Sequence, residues 1–344
     1  MDEFSPDVLC EEDSPLKARK LLLECELLIT GVRDFDLMEE RVRSGNFVVY
    51  QSERWFKPES LLSFGRSESA GKGLWVCGFL KMIFPFAIRR AIKIMRLFKS
   101  ENFLYLPIGI HAARDMARLC GLMNGDLRCL FCAPELRCEK RPFGKIELRG
   151  KGDGSRYCLD KMRMWGYFVA PGQGVCGRVH SGAANKTRIL WVGRMLGWKR
   201  VDTIIKAVGG LEEFELDIVG AGPEEAALRK MAAQYANIHF KGMVPIDEIR
   251  RLMQQHDVYV LSSNEFEGWG AVVNEAMEEG MDVVGTYEAG ASVTILPVSN
   301  LFHEGDWLGL RTILSKPIAP SERSQWTAYN AARCLRFPLV GGKK

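Results

Sequence analysis

Two glutamates flank a glycine-rich turn in the C-terminal third of the chain. The stretch EGWGAVVNE places Glu267 before the turn Gly268-Trp269-Gly270 and Glu275 eight residues after Glu267. Glycine lets a backbone approach ligand oxygens without an intervening Cβ, and the N-terminus of a following helix offers N–H groups to an anion. Because paired acids also occur on solvated helix edges, the function of this stretch depends on its surroundings.

Cations and a second glycine turn follow other apolar strands in the same half of the chain. Arg194 and Lys199 come after the run Ile189–Val192, and Gly222 comes after Leu216–Val219. The carboxyl ends of parallel strands meet at one edge of a sheet, where ligands bind. Either cation alone is typical of a solvated loop, but their coincidence with the glycine-rich turn favours a binding site.

The chemistry that suits such an edge is recognition of a nucleoside diphosphate linked to a sugar. Arg194 and Lys199 can supply charge to the diphosphate, and the helix N-terminus at Gly270–Val272 can supply N–H groups. A carboxylate inside that helix, Glu275, can accept hydrogen bonds from ribose hydroxyls. Glu267 would then lie on the sugar side, where it can bind hydroxyls or face the anomeric carbon.

A dinucleotide site is the main competing interpretation of the second glycine turn. GAGPEE places Gly-x-Gly after a strand, but Glu225 stands at the third glycine position of the dinucleotide fingerprint. The acid expected about twenty residues further on is replaced by His239-Phe240-Lys241. The sequence therefore argues against NAD or FAD.

Composition and length predict a soluble protein of about two domains. The 344 residues are 47% hydrophobic and 26% charged, without an uninterrupted apolar run long enough to span a bilayer. The acidic N-terminus lacks the apolar region of a secretory signal, which predicts a cytoplasmic location. Of the ten cysteines, Cys129 and Cys132 form one closely spaced pair followed by scattered singles. This spacing predicts buried thiols rather than a zinc site, so no metal is expected.

Positive charge is concentrated in the middle of the chain. Residues 79–180 carry 19 basic and 8 acidic side chains. Within them, residues 79–99 predict a helix with an apolar side and a basic side, which suits peripheral attachment to an anionic membrane at its inner face. A core-packed helix with a solvated basic face explains the same pattern. No groove-reading or stacking module is recognisable, so nucleic acid is not an expected partner.

Strand and helix patterns alternate along the chain, most regularly after residue 187. Near the start, strand 27–29, helix 34–43 and strand 47–50 predict a βαβ unit. Repetition of βα units predicts an α/β fold with parallel, doubly wound sheets. We expect two Rossmann-like domains, residues 1–180 and residues 181–344, with the boundary in a stretch poor in apolar side chains.

Five ordered blocks of the C-terminal half resemble the family 4 (group 1) glycosyltransferases. The blocks are ILWVGRMLGWKRVDTIIKAV, ELDIVGAGPE, HFKGMV, SSNEFEGWGAVVNEAMEEGMDVVGT and EAGASVTILPVSNLFHEGD. They cover roughly residues 187–310, and the two glutamates have the family's E-x7-E spacing. The resemblance implies the GT-B fold, in which two Rossmann-like domains face each other across a cleft. It also implies transfer with retention of anomeric configuration and no required metal ion.

Roles in this family carry over to matching positions of the chain. Arg194 and Lys199 resemble the family's diphosphate-binding pair, Glu275 its ribose-binding glutamate, and Glu267 the glutamate beside the donor sugar. His111 follows a strand in the N-terminal half, where the family often has a histidine near that sugar. The remaining expected contacts to a UDP- or GDP-sugar come from Gly222, Met243, Val244, Gly268, Trp269, Gly270 and Ala271.

The resemblance implies a glycan or a lipid-linked molecule as acceptor, within polysaccharide biosynthesis. Because the first clear strand appears only near Leu27, the acceptor-side domain is predicted to lack the first βα unit. A donor-binding protein without activity and another GT-B enzyme, such as a nucleotide-sugar epimerase or a phosphorylase, remain alternatives. The sugar, the base and the acceptor do not follow from the sequence.

Overall fold

The structure is a computed structural model that describes residues 27–30, 34–52, 89–130, 134–139, 144–149, 152–167, 169 and 186–318. Across those residues, no helix has both the length and the apolar character that a membrane span requires. The described residues group into two compact units. The first takes those up to Leu106 and those within Arg114–Glu135 and Glu147–Arg163, and the second takes those within Pro107–Ala113, Leu136–Ile146 and from Met164 onward. The boundary predicted between residues 180 and 181 lies outside the described residues.

The predicted N-terminal βαβ unit is confirmed. Strand β1 (Leu27–Thr30) pairs in parallel with β2 (Phe47–Ser52), and α1 (Phe35–Arg43) connects them. The Asp34 side chain caps α1 by accepting a hydrogen bond from the Leu37 N–H at 3.0 Å. Gly45, at φ +85°, takes the left-handed conformation that the turn into β2 requires.

Two more helices and three more strands lie among the residues described before residue 186. Residues 89–98 form α2. Strand β3 (Phe103–Pro107) lies next to β2 in the sheet order β1-β2-β3, and α3 (Ile110–Met123) follows it. Strands β4 (Leu136–Cys138) and β5 (Ile146–Leu148) form a separate two-stranded sheet.

Helix α2 buries its apolar side in the first unit. Ile94, Leu97 and Phe98 are at most 5% exposed, and the Phe98 ring packs edge-on against Phe103 at a centroid distance of 5.3 Å. Ile92 on the same helix is 37% exposed. Over residues 89–98, the structure therefore matches the core-packed alternative, because the sheet takes the face that a bilayer would need. The predicted segment's remaining residues 79–88 lie outside the described part.

The second unit is built on a six-stranded sheet with the order β11-β10-β9-β6-β7-β8. Its registered strand pairs are parallel, as predicted for βα repetition. The strands are β6 (Thr187–Val192), β7 (Phe214–Val219), β8 (Ile238–Gly242), β9 (Val258–Leu261), β10 (Asp282–Thr286) and β11 (Leu301–Phe302). The helices are α4 (Val201–Val208), α5 (Glu225–Ala232), α6 (Ile246–Gln255), α7 (Val272–Glu278), α8 (Gly290–Ile295) and α9 (Trp307–Leu314).

Apolar strands and one face of each packed helix make the core of this unit. Trp191 on β6 is 1% exposed and lies in one cluster with Ile204 of α4, Ile218 of β7 and Leu310 of α9. Strands β6 and β9 are neighbours in the middle of the sheet. From β6 the chain continues outward to β7 and β8 on one side, and from β9 it continues outward to β10 and β11 on the other. The neighbouring pair β6 and β9 is therefore the topological switch point, where open α/β sheets bind ligands.

Candidate nucleotide-sugar site

An ion pair joins the two strand ends at the switch point. Lys199 lies in the short turn Gly197–Lys199 after β6, and its ammonium binds the Glu267 carboxylate after β9. The Lys199 side chain is 18% exposed and that of Glu267 11%. The ammonium also lies over the Trp198 ring, 4.4 Å from its centroid, a favourable cation–π geometry. The sequence predicted both residues at this edge, and the structure brings them into contact.

Two buried serines after β9 hold this ion pair. Ser263 donates its hydroxyl to Oε2 of Glu267 at 2.7 Å, and Ser262 donates to the backbone carbonyl of Lys199 at 2.7 Å. The N–H of Asn264 donates to the Trp198 carbonyl at 2.9 Å. Sequence reasoning missed both serines. Their signal was a pair of small hydroxyl residues directly after an apolar strand, at the edge where a site was already predicted.

The glycine-rich turn leaves backbone donors beside the ion pair. Gly270 has φ +87°, and a Cβ there would lie 2.9 Å from Leu261. The Gly268 carbonyl accepts a hydrogen bond from Gly290 N–H at 3.1 Å, which ties the turn to the start of α8. The N–H groups of Gly270, Ala271 and Val272 donate to no acceptor within the described residues. They are available to an anion next to Lys199.

Trp269 contributes packing rather than an exposed ring. Its side chain is 1% exposed, and its indole N–H donates to Oδ1 of Asn274 at 2.7 Å. A Cβ on Gly166 would lie 2.5 Å from the indole, and one on Gly109 3.3 Å. Because these glycines make room for the ring, a ligand at the turn can meet Trp269 only through its backbone.

Glu275 is partly buried on the first turn of α7. Burial raises the pKa of its carboxyl above the usual value of 4.5, opposed by the positive charge of Arg250. Its carboxyl accepts no hydrogen bond from the described residues. The Tyr259 hydroxyl lies within electrostatic reach of both site glutamates, and burial first and those carboxylates second raise its pKa. Glu275 thus offers a desolvated acceptor to a ligand hydroxyl.

This geometry predicts that Glu275→Gln stabilises the fold at neutral pH. Since the folded-state pKa of Glu275 is raised, its stabilising contribution is complete below about pH 4.5 and is lost as pH rises through the raised pKa. The melting temperature of Glu275→Gln should therefore match the wild type near pH 4 and exceed it by a growing margin towards pH 7. A pH-independent difference in thermal unfolding would contradict this account.

Arg194 lies on the loop after β6, which packs against the turn that contains Gly222. Its side chain is exposed and makes no hydrogen bond or ion pair within the described part of the chain. The neighbouring Met195 N–H donates to the Ala221 carbonyl at 2.9 Å. A Cβ on Gly222 would lie 2.4 Å from the Met195 carbonyl oxygen, so the turn requires glycine there.

Two further residues predicted to contact the nucleotide sugar, Met243 and Val244, follow β8 at the same edge of the sheet. Met243 is 81% exposed, and Val244 next to it is half-buried. Gly242 before them has φ +70°, and its carbonyl accepts a hydrogen bond from Gly220 N–H at 2.7 Å. The loops after β6, β7 and β8 are thereby connected through backbone hydrogen bonds.

His111 belongs to the second unit and contacts the segment that follows β10. Its Nε2 lies 2.9 Å from the backbone carbonyl of Tyr287, after β10. Next to it, the N–H of Ile110 donates to Thr294 at 3.1 Å, and Thr294 donates to the Gly290 carbonyl. His111 therefore lies beside the segment that binds Gly268. Sequence reasoning gave no sign of the contact with Tyr287.

No group of three or more potential metal ligands occurs over the residues that the structure describes. Cys120, Cys129, Cys138 and Cys158 are free thiols, and the first two and the last are buried. Cys132 of the sequence pair lies outside the described residues. The donor set at the switch point, with cations and amide N–H groups, suits an anion by itself.

Comparison with known proteins gives the C-terminal unit its relatives. Residues 186–306 match the family model described as glycosyl transferases group 1. An uncharacterised glycosyltransferase of Methanocaldococcus jannaschii is 32% identical over 119 residues, which are 33% of this chain and 30% of that protein. The GDP-mannose-dependent monoacylated alpha-(1-6)-phosphatidylinositol monomannoside mannosyltransferase of Corynebacterium glutamicum is 28% identical over 123 residues, 33% of this chain and 32% of that protein. The chain spans about a third of the length of these curated relatives.

A solved structure resembles the larger part of the chain. The crystal structure of Anabaena HepE in complex with UDP has a TM-score of 0.51 and 15% sequence identity, and the match covers 94% of this chain and 77% of that one. At this identity the likeness shows the fold, which is GT-B with Rossmann-like parallel sheets. The predicted fold class is confirmed.

Proposed function

We propose that this chain, whose residues 186–306 match the family model of the group 1 glycosyl transferases, moves a sugar from a nucleotide-diphosphate sugar to a glycan or lipid-linked acceptor. The observation that carries the proposal is the Lys199–Glu267 ion pair at the switch point, next to unbonded amides and Glu275. Cation, amides and acid are the three partners that a diphosphate and a pentose need.

The donor would bind with its diphosphate between Lys199, Arg194 and the N–H groups of Gly270–Val272. Glu275 would accept hydrogen bonds from the ribose hydroxyls, and the backbone near Met243 would meet the base. Glu267 and His111 would lie on the sugar side. UDP is bound by the structural neighbour and GDP-mannose is the donor named for one relative, so both nucleotides belong in the first tests.

Catalysis would come mainly from stabilising the departing diphosphate. Transfer with retention passes through an oxocarbenium-like state, in which charge develops on the leaving phosphate. Cations and N–H groups that already contact the bound diphosphate can stabilise that charge without reorganising during the reaction. Metal is not required in this scheme, because Lys199, Arg194 and the amides supply the electrostatic partners.

The domain roles are part of the same proposal. Residues 181–344 would bind the donor, and residues 1–180 would form the acceptor side. A cytoplasmic enzyme of polysaccharide biosynthesis would meet a lipid-linked acceptor at the inner membrane face.

A thermal-shift screen with UDP-, GDP- and dTDP-sugars tests donor binding. A ligand at about 100 times its dissociation constant stabilises a protein by roughly 2.7 kcal/mol, which raises the melting temperature measurably. We expect at least one nucleotide sugar to do so, with release of its nucleoside diphosphate on addition of acceptor. Binding without any transfer would instead select an inactive donor-binding protein, and an epimer without acceptor would select an epimerase.

The basic face of α2 motivates attachment to anionic membranes through charge. Arg89 and Arg90 are exposed, and the Arg96 side chain is 62% exposed. Each cation near an anionic surface contributes about 1 kcal/mol. Arg89→Glu/Arg90→Glu should therefore weaken binding to phosphatidylserine vesicles by at least about tenfold in flotation assays.

A matched control reverses two exposed cations of the second unit. Lys230→Glu/Arg251→Glu changes the net charge equally, and both side chains are exposed. It should leave vesicle binding unchanged. Equal losses for the two double variants, or no binding by the wild type, would defeat the membrane proposal.

A further inference from the structure

The Glu267 carboxylate is held by two donors on a single oxygen. Lys199 and Ser263 both donate to Oε2, the serine at 2.7 Å. Under the proposed function Lys199 also binds the donor diphosphate, so the ammonium has two competing anionic partners. Ser263 has no such competition, because its hydroxyl is fully buried with Glu267 as its acceptor.

Ser263 is itself fixed by the neighbouring strand. The Thr286 hydroxyl at the end of β10 donates to the Ser263 carbonyl at 2.5 Å, and Thr286 is fully buried. Ser262 meanwhile holds the Lys199 backbone from the same strand end. The hydroxyl that reaches Glu267 is thus anchored in the sheet, independently of where the Lys199 side chain goes.

We propose that Ser263 is a positioning residue, whose hydroxyl keeps the Glu267 carboxylate in place when Lys199 moves from it to the donor diphosphate. The inference rests on the proposed function and adds an order of events to it. Diphosphate binding draws Lys199 away, and the carboxylate, still held by Ser263, becomes the acceptor for sugar hydroxyls. Sugar recognition then depends on diphosphate recognition.

If Ser263 has this role, its removal should weaken binding of the nucleotide sugar without weakening binding of the nucleoside diphosphate. A hydrogen bond to a charged group contributes about 1.5–3 kcal/mol, or roughly tenfold to a hundredfold in affinity. In Ser263→Ala, the dissociation constant for the nucleoside diphosphate alone should stay within about twofold of wild type. In the same variant, the dissociation constant for the nucleotide sugar should rise at least about tenfold, and kcat should also fall.

Two further variants separate positioning from packing. Ser263→Cys keeps the shape but is a weaker donor, so its loss should be intermediate. Ser292→Ala removes another fully buried serine hydroxyl, one without a hydrogen-bond partner among the described residues. Ser292→Ala should leave both dissociation constants unchanged. An equal rise for diphosphate and nucleotide sugar in Ser263→Ala would overturn the positioning role.

A double-mutant cycle of Ser263→Ala and Glu267→Ala, measured by melting temperature without ligand, tests the contact independently. Ser263→Ala should lower the melting temperature by a few degrees in the wild-type background, roughly the effect of one lost hydrogen bond to a charge. In a Glu267→Ala background the hydroxyl has lost its acceptor, so Ser263→Ala should cause no further fall. Equal falls in both backgrounds would overturn the inference. Failure of the wild type to bind any nucleotide would overturn the proposed function instead.

Discussion

Replacing Lys199 by alanine is expected to reduce turnover of the nucleotide sugar about 10²- to 10³-fold. One preorganised donor to a developing negative charge contributes roughly 3–4 kcal/mol to catalysis. Lys199 is placed for this role by the turn Gly197–Lys199 at the switch point and by the hydrogen bond from Ser262. Release of nucleoside diphosphate from the donor measures the loss.

The same substitution should also destabilise the fold, because it leaves the Glu267 carboxylate buried without its cation. Glu267→Gln in the Lys199→Ala background removes that charge and should restore most of the melting temperature, but not the turnover. Lys206→Ala is the control, since Lys206 also forms an ion pair with a carboxylate, that of Asp202 on α4, and is itself 45% exposed. Turnover within twofold of wild type in Lys199→Ala would contradict the assigned role.

Gly220→Ala should destabilise the second unit by more than about 4 kcal/mol. A loss of this size is exceptional for one substitution and is expected here from a clash with the backbone. Gly220 has φ +124°, and a Cβ there would lie 1.9 Å from the Gly193 carbonyl oxygen. Backbone atoms on both sides must move to relieve the contact. Those movements displace the loop that carries Arg194, so nucleotide binding should be lost with stability.

Gly242→Ala isolates the effect of backbone conformation alone. Gly242 also has positive φ, at +70°, but a Cβ there meets nothing within 4 Å. Its cost should be about 1–2 kcal/mol, the penalty of the left-handed conformation. Chemical denaturation of the two variants compares them directly. Similar losses would show that the close approach of the two loops has little effect on stability.

The framework of the C-terminal unit was predictable because its sequence repeats one local pattern. Each apolar strand is followed by a helix with one apolar face, and turn glycines separate them, so β6 to β10 and their parallel pairing were expected. Once the strands are parallel, their carboxyl ends share an edge. This topological rule predicts from the sequence that Arg194, Lys199, Glu267 and Glu275 lie at one edge of the sheet.

Contacts between distant residues were not predictable in the same way. Lys199 and Glu267 are 68 positions apart, and their pairing depends on β6 and β9 being neighbours rather than β6 and β10. The hydroxyls that hold them look like ordinary polar residues in a sequence. Local periodicity carries no information about which side chains meet across a sheet edge.

Two segments show how tertiary packing changes the role of a pattern. The amphipathic pattern of residues 89–98 indicates a helix, but it cannot distinguish a sheet from a bilayer as the cover for the apolar side. Trp269 stands between two glycines that mark a ligand loop, yet its ring is buried against Gly109 and Gly166. Those partners precede it by more than 100 residues, beyond the reach of local analysis.

Calorimetric titration with a ligand series tests the central claim most directly. The series is the nucleoside, its monophosphate and its diphosphate, for the base that gives the largest thermal shift. If the diphosphate is bound by Lys199, Arg194 and the amides of the glycine-rich turn, the wild type should bind the diphosphate at least about tenfold more tightly than the monophosphate. That difference should become much smaller in Arg194→Ala/Lys199→Ala, where only the amides remain. A nucleoside that binds as tightly as its diphosphate, or a difference that is undiminished in the double variant, would contradict the account.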